Sequence, residues 1–136
     1  MTVRPPTRRL LPVLFALAAL TPAGCPGPGA GDGAADVKLD LAFRPGPPKV
    51  GPAEAVVTLT DGDGRPVRGA TMKLEGNMNH AGMAPVFADA TEAEPGRYTA
   101  ALEFTMGGDW FILVSATFSD GRKLTRKIDV RGVKAR

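Results

Sequence analysis

The chain has 136 residues, which is room for one ordinary domain and not two. Its 17 Lys+Arg exceed its 14 Asp+Glu, but Arg4, Arg8 and Arg9 precede Cys25 and no acid does, so the remainder carries 14 of each and is near neutral. The basic balance therefore belongs to the first residues, charge gives no case for a nucleic-acid partner, and a single cysteine excludes an intramolecular disulfide.

Residues 1–24 read as a secretory signal peptide. Arg4, Arg8 and Arg9 form its positive region, Leu10 to Leu20 its apolar run, and Thr21 to Gly24 a small-residue cleavage region. An apolar run of eleven residues containing Pro12 is too short to cross a bilayer as a permanent helix. Ordinary export signals also carry arginine pairs, so Arg8-Arg9 gives little support to twin-arginine export. Cys25, preceded by Ala23-Gly24, resembles the lipobox of bacterial lipoproteins, with Pro22 standing where a leucine is usual. That resemblance implies a diacylglyceryl group on the Cys25 thiol, a membrane anchor and a periplasm-facing place in the cell envelope. Residues 25–35 have no large apolar side chain and read as a flexible Gly/Pro tether.

From Asp36 the chain turns into short alternating runs, and a single domain is expected over residues 36–131 with a frayed tail at 132–136. Val37, Leu39 and Leu41 alternate with Lys38 and Asp40 as a half-buried strand. Arg44 to Pro52, with four prolines, reads as a loop, and Ala55 to Thr60 as the second strand. Asp61-Gly62-Asp63-Gly64 supplies the residues of a tight turn. It is not a calcium-binding loop, because Arg65-Pro66-Val67-Arg68 offers none of the further oxygen ligands required.

A third strand is expected from near Pro66 through Ala70, Met72 and Leu74, with Met72 at core parity. Val86 to Ala90 reads as a short edge strand, and Glu92 to Gly96 as a turn. Tyr98, Ala100, Leu102, Phe104 and Met106 then share one face of a strand. After a turn at Gly107-Gly108-Asp109, Trp110, Ile112, Val114, Ala116 and Phe118 share a face of the next. Ser119 to Arg122 turns the chain into a last strand through Leu124, Arg126, Ile128 and Val130. About seven strands with regular turns, and no helical periodicity after the leader, predict an all-β fold, a single antiparallel immunoglobulin-like β-sandwich. A small barrel is the alternative closure.

The chemically distinctive stretch is Gly76 to Val86, which holds the only histidine, His80, between Met78 and Met83. If the third strand continues, residues 78 and 80 share a side, and Ala81-Gly82 can turn Met83 back towards them. Two thioethers and an imidazole make a neutral, soft ligand set that favours Cu(I) over zinc, calcium or magnesium. Met106, at the end of another strand, is a fourth candidate. Met side chains also fill gaps in sandwich cores, so packing is the competing role for each. A catalytic role is not expected, since no second histidine, nucleophile pair or phosphate-binding glycine loop accompanies His80.

Asp61 to Glu75 (D-G-D-G-R-P-V-R-G-A-T-M-K-L-E), the M-N-H-A-G-M loop, and Pro95 to Val114 (P-G-R-Y…G-D-W) together resemble the YtkA-like domain of bacterial envelope proteins. The likeness covers about residues 55–130. FixH-like proteins, associated with cytochrome oxidase biogenesis, look similar over the same segments, and related domains sit beside copper and heavy-metal efflux components. The resemblance implies a sandwich fold and a role in envelope copper or heavy-metal binding, or in metalloprotein assembly, with an envelope metalloprotein or efflux component as partner. The alternative is a tethered interaction or structural module with no metal.

Overall fold

The computed structural model describes residues 34–136. The expected signal at 1–24, Cys25 and most of the tether lie outside the described residues. Seven strands follow one another: β1 (Lys38–Arg44), β2 (Gly51–Thr60), β3 (Thr71–Met78), β4 (Val86–Glu94), β5 (Arg97–Phe104), β6 (Gly108–Thr117) and β7 (Lys123–Val133). All pairings between strands are antiparallel, in the order β1-β2-β5-β4-β3-β6-β7, and the described residues contain no helix.

β4 changes partner along its length. Val86 to Ala90 pair with β3, and from Thr91 onward it pairs with β5. One sheet therefore holds β1, β2, β5 and the end of β4, and the other holds β7, β6, β3 and the start of β4. This is the strand grouping of the immunoglobulin sandwich. Among the described residues β1 and β7 do not pair, so no barrel closes, although a parallel bridge between Lys49 and Lys134 nearly joins the two edges at one end.

The core follows from the two-residue period. Val57, Leu59, Met72, Leu74, Leu102, Phe104, Ile112, Val114 and Leu124 are all buried from alternating positions. Phe104 meets Phe43 and Trp110 edge-on, with ring centroids 5.2 and 5.3 Å apart, and so joins the two sheets. The Trp110 indole N–H donates to the carbonyl of Met106 at 3.0 Å, so the buried ring also fixes the turn before it.

At the opposite end a second knot holds the long β2–β3 connection. The buried Tyr98 hydroxyl donates to the Val67 carbonyl at 2.9 Å and accepts from the Ala70 N–H at 3.1 Å. Burial pushes its phenol pKa up. The Glu92 carboxylate accepts from the Gly69 N–H at 2.7 Å, and that bond holds its pKa below the usual carboxylate range. Gly96 has φ +72°, and a Cβ there would lie 2.6 Å from Pro66 Cβ and 2.9 Å from the Leu59 carbonyl oxygen. No side chain fits.

Several expected boundaries move. Ala34 is buried and accepts from the Val37 N–H at 3.0 Å, so the last two tether residues belong to the domain. β2 begins at Gly51, inside the expected loop. β3 begins at Thr71, because residues 61–70 are held by the Asp61 turn and the Tyr98 knot. β4 is longer than expected and joins the sheets instead of forming a simple edge; the turn after it is confined to Pro95-Gly96. β5 ends at Phe104, which leaves Met106 in the turn, and β6 begins at Gly108. The expected tail at 132–136 is tied down at its start: β7 reaches Val133, and Lys134 exchanges backbone hydrogen bonds with Pro48 and Val50.

Replacing Tyr98 by Phe keeps the ring but strands the Val67 carbonyl and the Ala70 N–H. A loss of about 1–3 kcal/mol is expected, read as a lower urea midpoint at unchanged slope. Gly96→Ala should lower the midpoint further, and unchanged midpoints would mean that the knot does not hold the fold.

Candidate functional site

The pairing fixes which loops share an end. Met78 faces Trp110, Gly51 faces Phe104, and Gly108 faces Val133. Loops 45–50, 79–85 and 105–107 and the last residues 134–136 therefore lie together at one end. Residues 34–37 and loops 61–70, 95–96 and 118–122 lie at the other. All four candidate soft donors (Met78, His80, Met83 and Met106) belong to the first end, and the chain comes in from Cys25 at the second.

The four are not equivalent. Met78 is the last residue of β3 and shares inward parity with Met72, Leu74 and Gly76; it is only 8% exposed. Its Cε lies 3.2 Å from where a Cβ on Gly108 would stand, so its methyl rests on the first residue of β6. β3 then stops. Asn79 and His80 form a bend, and Ala81-Gly82 a turn in which Gly82 takes φ +84°. The shared parity expected of residues 78 and 80 therefore does not arise: Met78 packs inward, and His80 stands in an exposed loop. His80 makes no hydrogen bond among the described residues.

Met83 is half-buried and packs against the core, while Met106 is 49% exposed in the β5–β6 turn. The turn under Met106 is fixed by the Trp110 indole, so its thioether projects from a rigid base. The arrangement thus offers two open donors, His80 and Met106, one half-covered donor, Met83, and one donor set into the core, Met78. Among the described residues no three or more His, Cys, Asp or Glu gather where they could hold a metal. A metal at this end would draw on thioethers and the imidazole, a set suited to Cu(I) and poorly suited to oxygen-seeking cations.

Two features escaped the sequence reading. A polar cleft of about 310 Å³ lies beside the loop, lined by Asn79, Asp109 and Trp110 with Lys127, Asp129 and Arg131 of β7. Phe87, at 71% exposure, stands on the outer face of β4, where parity calls for a polar residue. The signal for Phe87 was present in the V-F-A-D-A run. The cleft depends on the pairing of β6 with β7 and left no local mark.

The sequence model of the YtkA-like family matches residues 32–115, more than half of the chain, from before β1 almost to the end of β6. No curated protein matches the chain.

The different settings of Met78 and His80 predict different costs. Met78→Ala opens a hole between β3 and β6 and should cost about 2–5 kcal/mol in urea unfolding. His80→Ala should stay within about 0.5 kcal/mol. Equal effects would place Met78 outside the core.

Proposed function

The chain belongs to the YtkA-like family, and on that premise we propose that it is an exported domain, lipid-anchored through Cys25, that binds Cu(I) and serves envelope metal handling or metalloprotein assembly without catalysis. The supporting observation is the gathering of Met78, His80, Met83 and Met106 at the end of the sandwich opposite the incoming chain. A sandwich built from strands of 7 to 11 residues separates these ends by about 3.3 Å per residue. An anchor at Cys25 would thus turn the soft donors away from the membrane and towards a partner.

In this reading His80, Met83 and Met106 are the ligands open to an arriving ion, and Met78 supports the base of the loop from within the core. Methionine suits an oxidising compartment because thioethers do not form disulfides, and a lipidated Cys25 leaves no free thiol to compete. The candidate ligands are all neutral and soft, a set that suits Cu(I) better than a hard divalent ion. A second reading, a tethered interaction module, is favoured by Phe87, exposed on the outer face of β4.

The test is a Cu(I) titration of the full-length protein in detergent against a colorimetric chelator, beside the His80→Ala/Met83→Ala/Met106→Ala variant, with membrane fractionation of Cys25→Ser. About one equivalent is expected, weakened by about tenfold or more in the variant, and Cys25→Ser should leave the membrane fraction. Failure of the intact protein to compete for Cu(I) would remove the metal reading and leave the interaction module.

A further inference from the structure

The loops gathered at the donor end hold no Asp or Glu. Residues 45–50, 79–85, 105–107 and 134–136 contribute Lys49, Lys134 and Arg136 and no acidic side chain. A parallel bridge sets Lys49 beside Lys134. Backbone bonds from the Val50 N–H to the Lys134 carbonyl, 2.9 Å, and from the Lys134 N–H to the Pro48 carbonyl, 3.2 Å, hold the two segments together. Val133 is buried and Val50 packs against the core, so the neighbouring Lys134 and Lys49 side chains point out to solvent. Two residues further on, the Arg136 guanidinium lies against Gly51: its Nη2 is 3.5 Å from where a Cβ on that glycine would stand. Lys49, Lys134 and Arg136 therefore line one seam.

Like charges that face one another in a ladder repel, so this row costs stability. Among the described residues none of the three cations has an ion-pair partner. The opposite end is built differently. There Arg65 pairs with Asp61 and Asp63, Arg97 with Glu94, and Arg122 with Asp120 and Asp36. The acids at the donor end, Glu103 and Asp109 near the ends of β5 and β6, are matched by Arg44 and Arg131 near the ends of β1 and β7. One Asp109 oxygen is also taken by the Gly132 N–H at 2.9 Å. The seam adjoins the soft donors as well. A Cβ on Gly107 would stand 3.1 Å from the Val133 carbonyl oxygen and 3.2 Å from the Ala135 nitrogen, so the turn carrying Met106 rests directly on it.

We infer that this seam, with Met106 at its border, is the docking face for an acidic surface of a partner protein. Cations held on a fixed backbone attract and orient a surface of opposite charge. Carboxylates brought against Lys49, Lys134 and Arg136 would also remove the repulsion that the free domain carries. Exposed Pro45 and Pro47, in the loop of Lys49, and exposed Met106 add apolar contact. An anionic lipid surface is the other source of negative charge. Recognition of such a surface generally takes clusters of roughly four to eight basic residues. The chain, moreover, comes in from Cys25 at the opposite end, where Lys38 faces Thr60. The choice of a protein over a membrane thus rests in part on the anchor proposed at Cys25. Docking itself needs no metal, so it stands or falls separately from Cu(I) binding.

The probe is an acetyl-EDGEDGED-amide peptide added to the metal-free, ¹⁵N-labelled full-length protein in detergent, with acetyl-KRGKRGKR-amide as the control. Amide shifts are expected to concentrate at residues 49–51, 105–107 and 133–136, and the basic peptide should cause none there. Affinity should fall by about fivefold or more in the Lys49→Gln/Lys134→Gln/Arg136→Gln variant. It should change by less than about twofold in Lys38→Gln/Lys73→Gln/Lys123→Gln, which loses the same charge from exposed side chains elsewhere. Equal losses in the two variants would mean attraction by net charge alone and would overturn the inference. So would shifts that miss the seam, or no binding at all. Larger shifts at the seam from phosphatidylglycerol added to the micelles than from the peptide would make it a membrane contact, which also overturns it.

Discussion

One strand has to serve two sheets. With no helix among the described residues to cover either sheet, the apolar faces are buried against each other, and β4 is the strand that crosses between them. Its first five residues complete the β3 side and its last four complete the β5 side. The register shift between Glu92 and Glu94 lies on the β5 side of that crossing, where pairing next to a turn is irregular. The position of the 79–85 loop follows from where β4 switches.

Pro66, Gly96, Tyr98 and Trp110, all within the stretch that matches the YtkA-like family, mark points where the crossing is braced. Pro66 fills the space in front of Gly96, and no side chain could stand between them. Tyr98 ties the β2–β3 connection through two hydrogen bonds from inside the core. At the other end Trp110 closes the β5–β6 turn, and Gly108 leaves room for the Met78 methyl. These residues hold the two ends at a fixed separation. They make the loop at 79–85 and the turn at 105–107 neighbours on a rigid platform. The soft donors belong to that platform to different degrees: Met78 is built into it, Met83 leans on it, and His80 and Met106 stand off it.

Much of this was legible in the residues. Where one face is buried and the other wet, the period of two survives, and the runs from Tyr98 to Phe104 and from Trp110 to Phe118 declare both strands and core. Thr91 to Glu94 are all exposed, so no alternation marked the second half of β4. The parity of Met78 was readable, but the end of its strand was not, because Asn79 and His80 could continue a strand as easily as bend. The pinned C-terminus escaped because Lys134 pairs with Lys49, far away in sequence, and because Gly132 at φ +67° breaks the alternation just before it. Ala34 contributes only a methyl group to the core, too small a signal against a Gly/Pro background.

The claim on which the functional reading turns is that thioethers and one imidazole at the far end of the sandwich take a soft ion. Copper K-edge X-ray absorption of the Cu(I)-loaded full-length protein tests it most directly, because sulfur and nitrogen scatterers are distinguishable there. Sulfur scatterers with one imidazole, reduced in number by Met83→Ala/Met106→Ala, are the expected result. A spectrum of nitrogen and oxygen scatterers alone, or one unchanged by that variant, would contradict it.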